Sequence, residues 1–237
     1  MLFKFIIFNI FNIVNALVYD KCINSNHITL TFDDGPTDNT LNLLKILNKH
    51  NIKGTFFING LNVIKNNYQQ LVQTMYNQNH TIGTHGFSHA DMEKLNNFNA
   101  MRELYDNELI FRQLLNKRPY FYRPPYFSYD ANVVNMCSMF GYEIIASNLN
   151  TNDWNSTTSD EIYNNFINGL NDTLSSDKNG KIVIQHDYQT LNIDALEKII
   201  NYALEKKYTF VPLKTCLGLT KDYNKDNTYG PFLLNGI

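Results

Sequence analysis

Short runs of β-branched and aromatic residues alternate along the chain with longer segments in which apolar residues recur at helical spacing. This alternation is typical of repeated strand–helix units, which form a parallel sheet covered by helices. About seven such units are predicted, and each strand except the last is followed by a predicted helix. The predicted strands cover residues 28–32, 54–58, 81–84, 120–122, 143–147, 181–185 and 208–211.

Helical spacing is clearest over residues 40–50, 101–115 and 192–206. In the first of these segments, Leu41, Leu44 and Leu47 recur at helical intervals and are predicted to lie in the core. No linker rich in Pro, Gly or Ser and no internal repeat divides the chain. We therefore expect one domain over residues 18–219, followed by a polar tail over residues 220–237 that lies on the surface or is poorly ordered.

Residues 1–17 have the layout of a secretory signal peptide. Lys4 precedes an apolar run that is too short to span a bilayer comfortably, and Ala16 offers a plausible cleavage point. We expect this segment to be removed, which leaves a secreted chain without stable membrane insertion. An uncleaved membrane anchor is the alternative, and the asparagines within the apolar run count against it.

The composition is typical of a folded, nearly neutral protein. The chain has 237 residues, of which 43% are hydrophobic and 18% are charged, and its formal net charge is -2. This charge gives no reason to expect nucleic acid or an anionic membrane surface as a partner. A neutral substrate suits the chain better, and we expect a monomer.

Secretion changes the interpretation of the cysteines, because an oxidising compartment permits disulfides. Cys22 and Cys216 flank the domain in sequence. A bond between them would tie the two ends of the fold together and restrict the unfolded chain. Cys137 lies in the apolar run over residues 133–140 and is predicted to be a buried free thiol.

Two acidic residues, Asp33 and Asp34, end the first predicted strand within the segment TFDDGP. Successive side chains at a strand end point in different directions, so one carboxylate can bind a metal while the other faces the substrate as a base. The alternative is an acidic turn that only caps the next helix.

Two histidines, His85 and His89, follow another predicted strand in the segment HGFSH. Four residues make about one helical turn, so we expect both rings on one face, where they can share a divalent ion with an oxygen ligand. A pair of surface histidines is the alternative for so short a pattern.

Three further segments bring polar residues to strand ends: RPPY with Arg123 and Tyr126, NTNDW with Asp153 and Trp154, and IVIQHD with His186. The stiff proline pair can present the Tyr126 amide to an oxyanion, and Arg123 can grip a carboxylate. His186 can act as an acid or base. Each segment has a structural alternative: a rigid surface turn, a core Trp154, and a histidine bound by backbone.

All five segments lie at the carboxyl ends of predicted strands, where parallel strand–helix folds place their active sites. Their order, TFDDGP, HGFSH, RPPY, NTNDW and IVIQHD, resembles the five motifs of the polysaccharide deacetylase domain, carbohydrate esterase family four. The resemblance covers roughly residues 27–213 and is greatest to chitin deacetylases. It implies an α/β fold, a distorted (β/α)7 barrel, and a hydrolase that removes N-acetyl groups from chitin or chitooligosaccharides.

The resemblance also implies a metal centre and a pair of proton-transfer groups. Asp34, His85 and His89 would bind a divalent metal ion, zinc or a similar ion such as cobalt. Asp33 would be the general base and His186 the general acid.

The remaining motif residues would support this chemistry. Arg123 would orient the base and Asp153 would orient the acid. Tyr126 would offer its backbone amide to the oxyanion, while Trp154 and Ile184 would line the pocket for the acetyl methyl group.

The motifs fix the chemistry and leave the glycan open. Peptidoglycan and acetylxylan are the alternative substrates, and a catalytically silent glycan-binding protein of a cell wall is the alternative from another class. One departure is Asn150, where the family often has Asp; losing that charge can alter how the loop is held or how His186 is tuned. Asp153 is retained, so we expect activity.

Overall fold

The computed structural model describes residues 16–171 and 179–224. Within these ranges the strands are β1 Val18–Tyr19, β2 Lys21–Cys22, β3 His27–Gly35, β4 Thr55–Ile58, β5 Thr81–Thr84, β6 Arg118–Pro119, β7 Phe121–Tyr122, β8 Glu143–Ile145, β9 Leu149–Asn150, β10 Gly180–His186, β11 Thr209–Phe210 and β12 Tyr223–Asn224. The helices are α1 Thr40–Lys49, α2 Gly60–Lys65, α3 Gln69–Asn77, α4 Asn97–Leu115, α5 Ala131–Phe140, α6 Ser159–Leu170, α7 Leu191–Glu205 and α8 Leu213–Cys216.

The central sheet has the strand order β1-β8-β7-β5-β4-β3-β10-β2, with β11 beside β3 and β9 beside β10. The strands from β8 to β10 along this path pair in parallel, and β2 pairs antiparallel with β10. Only residues 146–148 separate β8 from β9, which joins β10 from the other side, so the sheet nearly closes into a barrel. The predicted α/β class with a parallel sheet is confirmed.

Alternation along β3 separates the core from the barrel interior. Ile28, Leu30 and Phe32 are buried in the cluster that joins the sheet to the surrounding helices. Because successive side chains of a strand point to opposite faces, Thr31 and Asp33 face the interior of the barrel. Both are buried. The strand therefore delivers a carboxylate to the carboxyl end of the barrel on the side away from the helices.

The core prediction for α1 is wrong at one position. Leu44 and Leu47 are buried, whereas Leu41 is 51% exposed. The buried face consists of Thr40, Leu43, Leu44 and Leu47. These positions follow the i, i+3, i+4, i+7 pattern of an amphipathic helix, which leaves Leu41 on the outer face.

Both predicted cysteine states are confirmed. Cys22 and Cys216 form a disulfide that joins β2 to α8 across 194 positions of sequence. Cys137 is free and buried within α5, where burial raises the pKa of its thiol. The bond ties the first strands of the described chain to its last helix.

Part of the two predicted terminal segments lies outside the described residues, namely residues 1–15 and 225–237. Ala16 packs in a core cluster with residues of α5 and β8. At the other end, β12 pairs antiparallel with β6, so the start of the predicted tail contacts the domain. Across the described part of the chain, every helix is too short or too polar to cross a membrane.

Candidate active site

Asp34, His85 and His89 meet where β3 and β5 end. Asp34 Oδ1 lies 3.3 Å from His85 Nε2 and 3.1 Å from His89 Nε2. One possible ligand atom from each residue lies within 4.8 Å of the others. The structure thus brings together the three residues that the sequence motifs associate with a metal.

The helical interpretation of the HGFSH segment is wrong, although the two rings do approach each other. Residues 85–90 form a bent loop, with φ of 81° at Gly86 and 63° at His89. The two imidazole centroids are 5.0 Å apart. Two residues in the left-handed conformation therefore turn the loop back on itself, which brings both rings to one side without a helical turn.

The donor atoms fit a divalent metal ion. His85 Nδ1 lies 2.6 Å from the Arg123 carbonyl oxygen, so Nδ1 carries the proton and the Nε2 lone pair faces Asp34. The ligand atoms of a tetrahedral zinc ion lie roughly 3.3 Å apart, close to the separations around Asp34 Oδ1. One carboxylate with two imidazoles is also a donor set that hydrolytic zinc sites use when they keep one position open.

Asp34 is held as a carboxylate. Burial alone would raise the pKa of Asp34, but the interactions of its carboxylate with the His85 and His89 rings lower that pKa well below its usual range. A carboxyl group that stays ionised can serve as a metal ligand across the whole range of physiological pH.

Two asparagines that the sequence analysis missed hold Asp34 in place. Asp34 has a φ of 67°, in the left-handed region, which costs free energy for a residue with a side chain. Asn62 Nδ2 donates to the Asp34 carbonyl oxygen at 2.7 Å, and Asn59 Nδ2 donates to Asp34 Oδ1 at 3.4 Å. Both lie just after β4, and nothing in their local pattern distinguishes them from the other asparagines of this Asn-rich chain.

Asp187, the last residue of the IVIQHD motif, supports the segment that directly follows Asp34. Its carboxylate accepts hydrogen bonds from the Thr37 and Thr40 hydroxyls. Gly35 is required beside it, because a Cβ on Gly35 would lie 2.4 Å from Asp187 Oδ2. Burial raises the pKa of Asp187 to about 6. Its place in the motif next to His186 was the available signal.

Asp33 and Arg123 form a buried ion pair inside the barrel. Arg123 Nη1 donates to Asp33 Oδ1 at 2.8 Å, and both side chains are almost fully buried. The same guanidinium donates to the carbonyl oxygens of Ile145 and Ala146 and to the Thr31 hydroxyl. Because its donors are shared among fixed acceptors, Arg123 can hold the Asp33 carboxylate in one orientation.

His186 is gripped by Asp153 at the end of β10. Asp153 Oδ1 lies 2.9 Å from His186 Nδ1, and Asp153 Oδ2 accepts from the His186 backbone N–H at 2.6 Å. Burial would lower the pKa of His186, but the hydrogen bond to Asp153 and the charges of Asp153, Asp33 and Asp34 outweigh burial and raise that pKa. The ring therefore keeps its proton to higher pH than an unperturbed imidazole does.

Exposed aromatic side chains border these polar groups. Trp154 is 55% exposed, so the alternative of a core tryptophan is wrong. Tyr126 is also largely exposed, and its ring meets that of His89 edge to face at a centroid distance of 4.7 Å. Tyr188 is half exposed beside His186, and Ile184 is buried within β10. Exposed aromatic faces around a polar centre are suited to contacts with sugar rings.

The loop that carries Asp153 also contains the departure at Asn150. Asn150 Oδ1 accepts a hydrogen bond from the Asn152 backbone N–H at 2.7 Å. An aspartate could accept the same bond through a carboxylate oxygen, so the local turn does not depend on the missing charge.

Comparison with known proteins places this geometry in a family. A family model described as polysaccharide deacetylase matches residues 20–145. A chitin deacetylase of Arthroderma benhamiae is 32% identical over 85% of this chain, which spans 54% of that relative's length. A peptidoglycan-N-acetylglucosamine deacetylase of Bacillus cereus is 31% identical over 87% of this chain and 74% of its own length.

A solved structure agrees with these matches. The chitin deacetylase from the fungal pathogen Colletotrichum lindemuthianum is similar at a TM-score of 0.81 and 28% identity, over 89% of this chain and 96% of that one. The predicted resemblance, the distorted (β/α)7 barrel and the class of hydrolytic deacetylases are confirmed. The chain belongs to the polysaccharide deacetylase family.

Proposed function

We propose that this protein removes N-acetyl groups from N-acetylglucosamine polymers, with chitin or chitooligosaccharides as its substrate and acetate as a product. The observation that carries the proposal is the register of β3 and β10, which pairs Asp33 directly with His186. A carboxylate and an imidazole are thereby held side by side, next to the candidate metal ligands Asp34, His85 and His89. The residues that we propose as base, acid and metal ligands therefore lie at one rim of the barrel.

The metal would be held by Asp34, His85 and His89. When bound, a divalent ion supplies Lewis-acid activation of a water molecule and of the acetamide carbonyl. Zinc is the ion that we expect, and the nitrogen and oxygen donors also suit cobalt.

Asp33 acts as the general base in this proposal. It takes a proton from the water that attacks the acetyl carbonyl carbon. Arg123 binds one oxygen of the Asp33 carboxylate, which leaves the other oxygen for the proton. Since Asp33 and Arg123 are both buried, the carboxylate needs little reorganisation during the reaction.

His186 acts as the general acid. In the imidazolium form both ring nitrogens carry a proton; Asp153 accepts from Nδ1, which leaves the Nε2 proton as the one that can be transferred. That proton goes to the amide nitrogen of the substrate as its bond to the carbonyl carbon breaks. The products are acetate and a free amino sugar.

The rim residues bind the acetyl group and the sugar. The Tyr126 amide donates to the oxygen that becomes negatively charged, and Trp154 and Ile184 line the space for the acetyl methyl group. The large exposure of Tyr126 and Trp154 leaves both accessible to a polymer that lies across the rim.

Residues 1–17 act as a cleaved signal peptide, residues 18–219 form the catalytic domain and residues 220–237 are its tail. The mature protein is a secreted monomer of a cell wall or coat. The disulfide between Cys22 and Cys216 supports secretion, because such bonds persist in oxidising compartments.

The direct test is mass spectrometry of a chitooligosaccharide series after incubation with the protein. We expect loss of acetyl groups that a chelator stops and added zinc restores. Peptidoglycan fragments and acetylxylan are run in parallel, since one relative is named for peptidoglycan. If peptidoglycan or acetylxylan alone lost its acetyl groups and the chitooligosaccharides did not, that glycan would replace chitin as the proposed substrate. A zinc-loaded protein that binds glycans and releases no acetate would overturn the proposal in favour of a silent binding protein.

A further inference from the structure

Helix α4 contacts Ser88, which lies in the loop between His85 and His89. Ser88 donates twice to Glu103, from its backbone N–H to Oε2 at 2.8 Å and from its hydroxyl to Oε1 at 2.6 Å. A single carboxylate therefore fixes both the backbone and the side chain of the residue that directly precedes His89.

The same helix contacts the loop again one turn later. Asn107 is fully buried, and its Nδ2 group lies 2.8 Å from the Gly86 carbonyl oxygen. Nδ2 also donates to the Ile58 carbonyl oxygen at 2.9 Å and to the Thr84 hydroxyl at 2.7 Å. One amide group thus joins the end of β4, the end of β5 and the residue that directly follows His85.

We infer that Glu103 and Asn107 form a clamp that positions His85 and His89 for metal binding. The two residues are four apart on α4 and therefore lie on the same helix face. They hold the loop at Gly86 and Ser88, the two residues adjacent in sequence to the histidines. This inference rests on the proposed metal-dependent function.

The loop needs such support because of its conformation. His89 has a φ of 63°, a left-handed conformation that is unfavourable for a residue with a side chain. Gly86 has a φ of 81°, and a Cβ at that position would lie 3.2 Å from Glu103 Oε2. A loop released from α4 would relax, and the His89 ring would lose its approach to Asp34 Oδ1.

The test compares zinc affinity in variants of the clamp and of a matched site. Glu103→Ala removes both bonds to Ser88. The control is Asp106→Asn, which breaks the exposed pair between Arg102 and Asp106 on the same helix and leaves the loop untouched. Zinc dissociation constants are measured by competition with a chromophoric chelator, and thermal unfolding of the metal-free proteins reports on folding.

We expect Glu103→Ala to weaken zinc binding roughly 10- to 100-fold, as loss of an orienting contact to a metal ligand typically does. Asp106→Asn should bind zinc like the wild-type protein. At saturating zinc, Glu103→Ala should regain most of its kcat, since Glu103 positions ligands and does not contact the substrate. A metal affinity within twofold of the wild type would overturn the inference.

A second variant separates positioning from folding. Ser88→Ala removes only a hydroxyl from an exposed contact, so it should weaken zinc binding by a smaller factor in the same direction without changing the thermal unfolding of the metal-free protein. If Glu103→Ala does not fold, Ser88→Ala decides the question: unchanged zinc affinity there overturns the clamp. A wild-type protein that binds no zinc would instead refute the proposed function itself.

Discussion

Asp153 contacts His186 twice, through Nδ1 of its ring and through its backbone N–H. The two oxygens of one carboxylate thus fix both the orientation of the imidazole and the end of β10. Asn192 donates to the same carboxylate and to the His186 carbonyl oxygen, which reinforces the arrangement. Asp153, a residue from a different loop, therefore contributes both to the position and to the protonation of His186.

Replacing Asp153 should shift the pH dependence of the reaction. The general acid must be protonated, so activity falls as the pH rises through the pKa of His186. Because the charge of Asp153 raises that pKa, Asp153→Asn should move the alkaline fall of kcat/KM to lower pH. Acetate release measured from pH 5 to 10 tests this expectation. An alkaline limb that stays in place would contradict the pairing, and His186→Ala, which lacks the acid, should lose that limb.

Replacing Asp33 should separate catalysis from metal binding. Asp33→Asn removes the base and leaves Asp34, His85 and His89 intact, so we expect a full equivalent of zinc with activity reduced roughly 100- to 10,000-fold. Arg123 keeps its bonds to the Ile145 and Ala146 carbonyl oxygens, which should hold the guanidinium in place. Metal analysis of the purified variant, beside its rate, decides the matter. Loss of the ion would assign Asp33 a different role.

Replacing His89, in contrast to Asp33, should remove the metal together with the activity. His89→Ala removes one of the three donors, so both bound zinc and activity should be lost together. His50→Gln is a suitable control, because it removes a histidine beyond the end of α1. Unchanged zinc content in His89→Ala would refute the ligand assignment.

The arrangement of strands could be predicted because each strand is a short apolar run that ends in a polar segment. Thr81–Thr84 was predicted with its observed bounds, and β3 and β10 were predicted except for their ends. Since parallel strands bring their carboxyl ends to one edge, the motifs TFDDGP and HGFSH could be expected to meet.

The supporting residues could not be predicted, because they act across distant parts of the chain. In the sequence, Asn107 cannot be distinguished from other polar residues of a helix. Its role depends on the packing of α4 against the ends of β4 and β5. The left-handed residues within HGFSH could not be predicted, because HxxxH spacing suggests a helical turn, whereas the loop depends on the contacts of Ser88 and Gly86 with α4.

The disulfide lies at the end of the barrel opposite to the candidate metal ligands. Cys22 pairs with Gly180, the first residue of β10, whereas His186 is the last residue of that strand. Both cysteines are fully buried in a cluster with Ile182 and Leu213. The bond can therefore affect the stability of the fold without contacting the groups that carry out the chemistry.

Removing the disulfide should lower stability and spare the reaction. A cross-link over so long a loop restricts the unfolded chain, so the double variant Cys22→Ala, Cys216→Ala should lose about 2–5 kcal/mol of unfolding free energy in urea titrations. Its kcat/KM at 25 °C should stay close to that of the wild type while the protein remains folded. Cys137→Ala also removes a buried thiol but no cross-link, and should cost less. Equal losses in the two proteins would show that packing, rather than the cross-link, accounts for the stability.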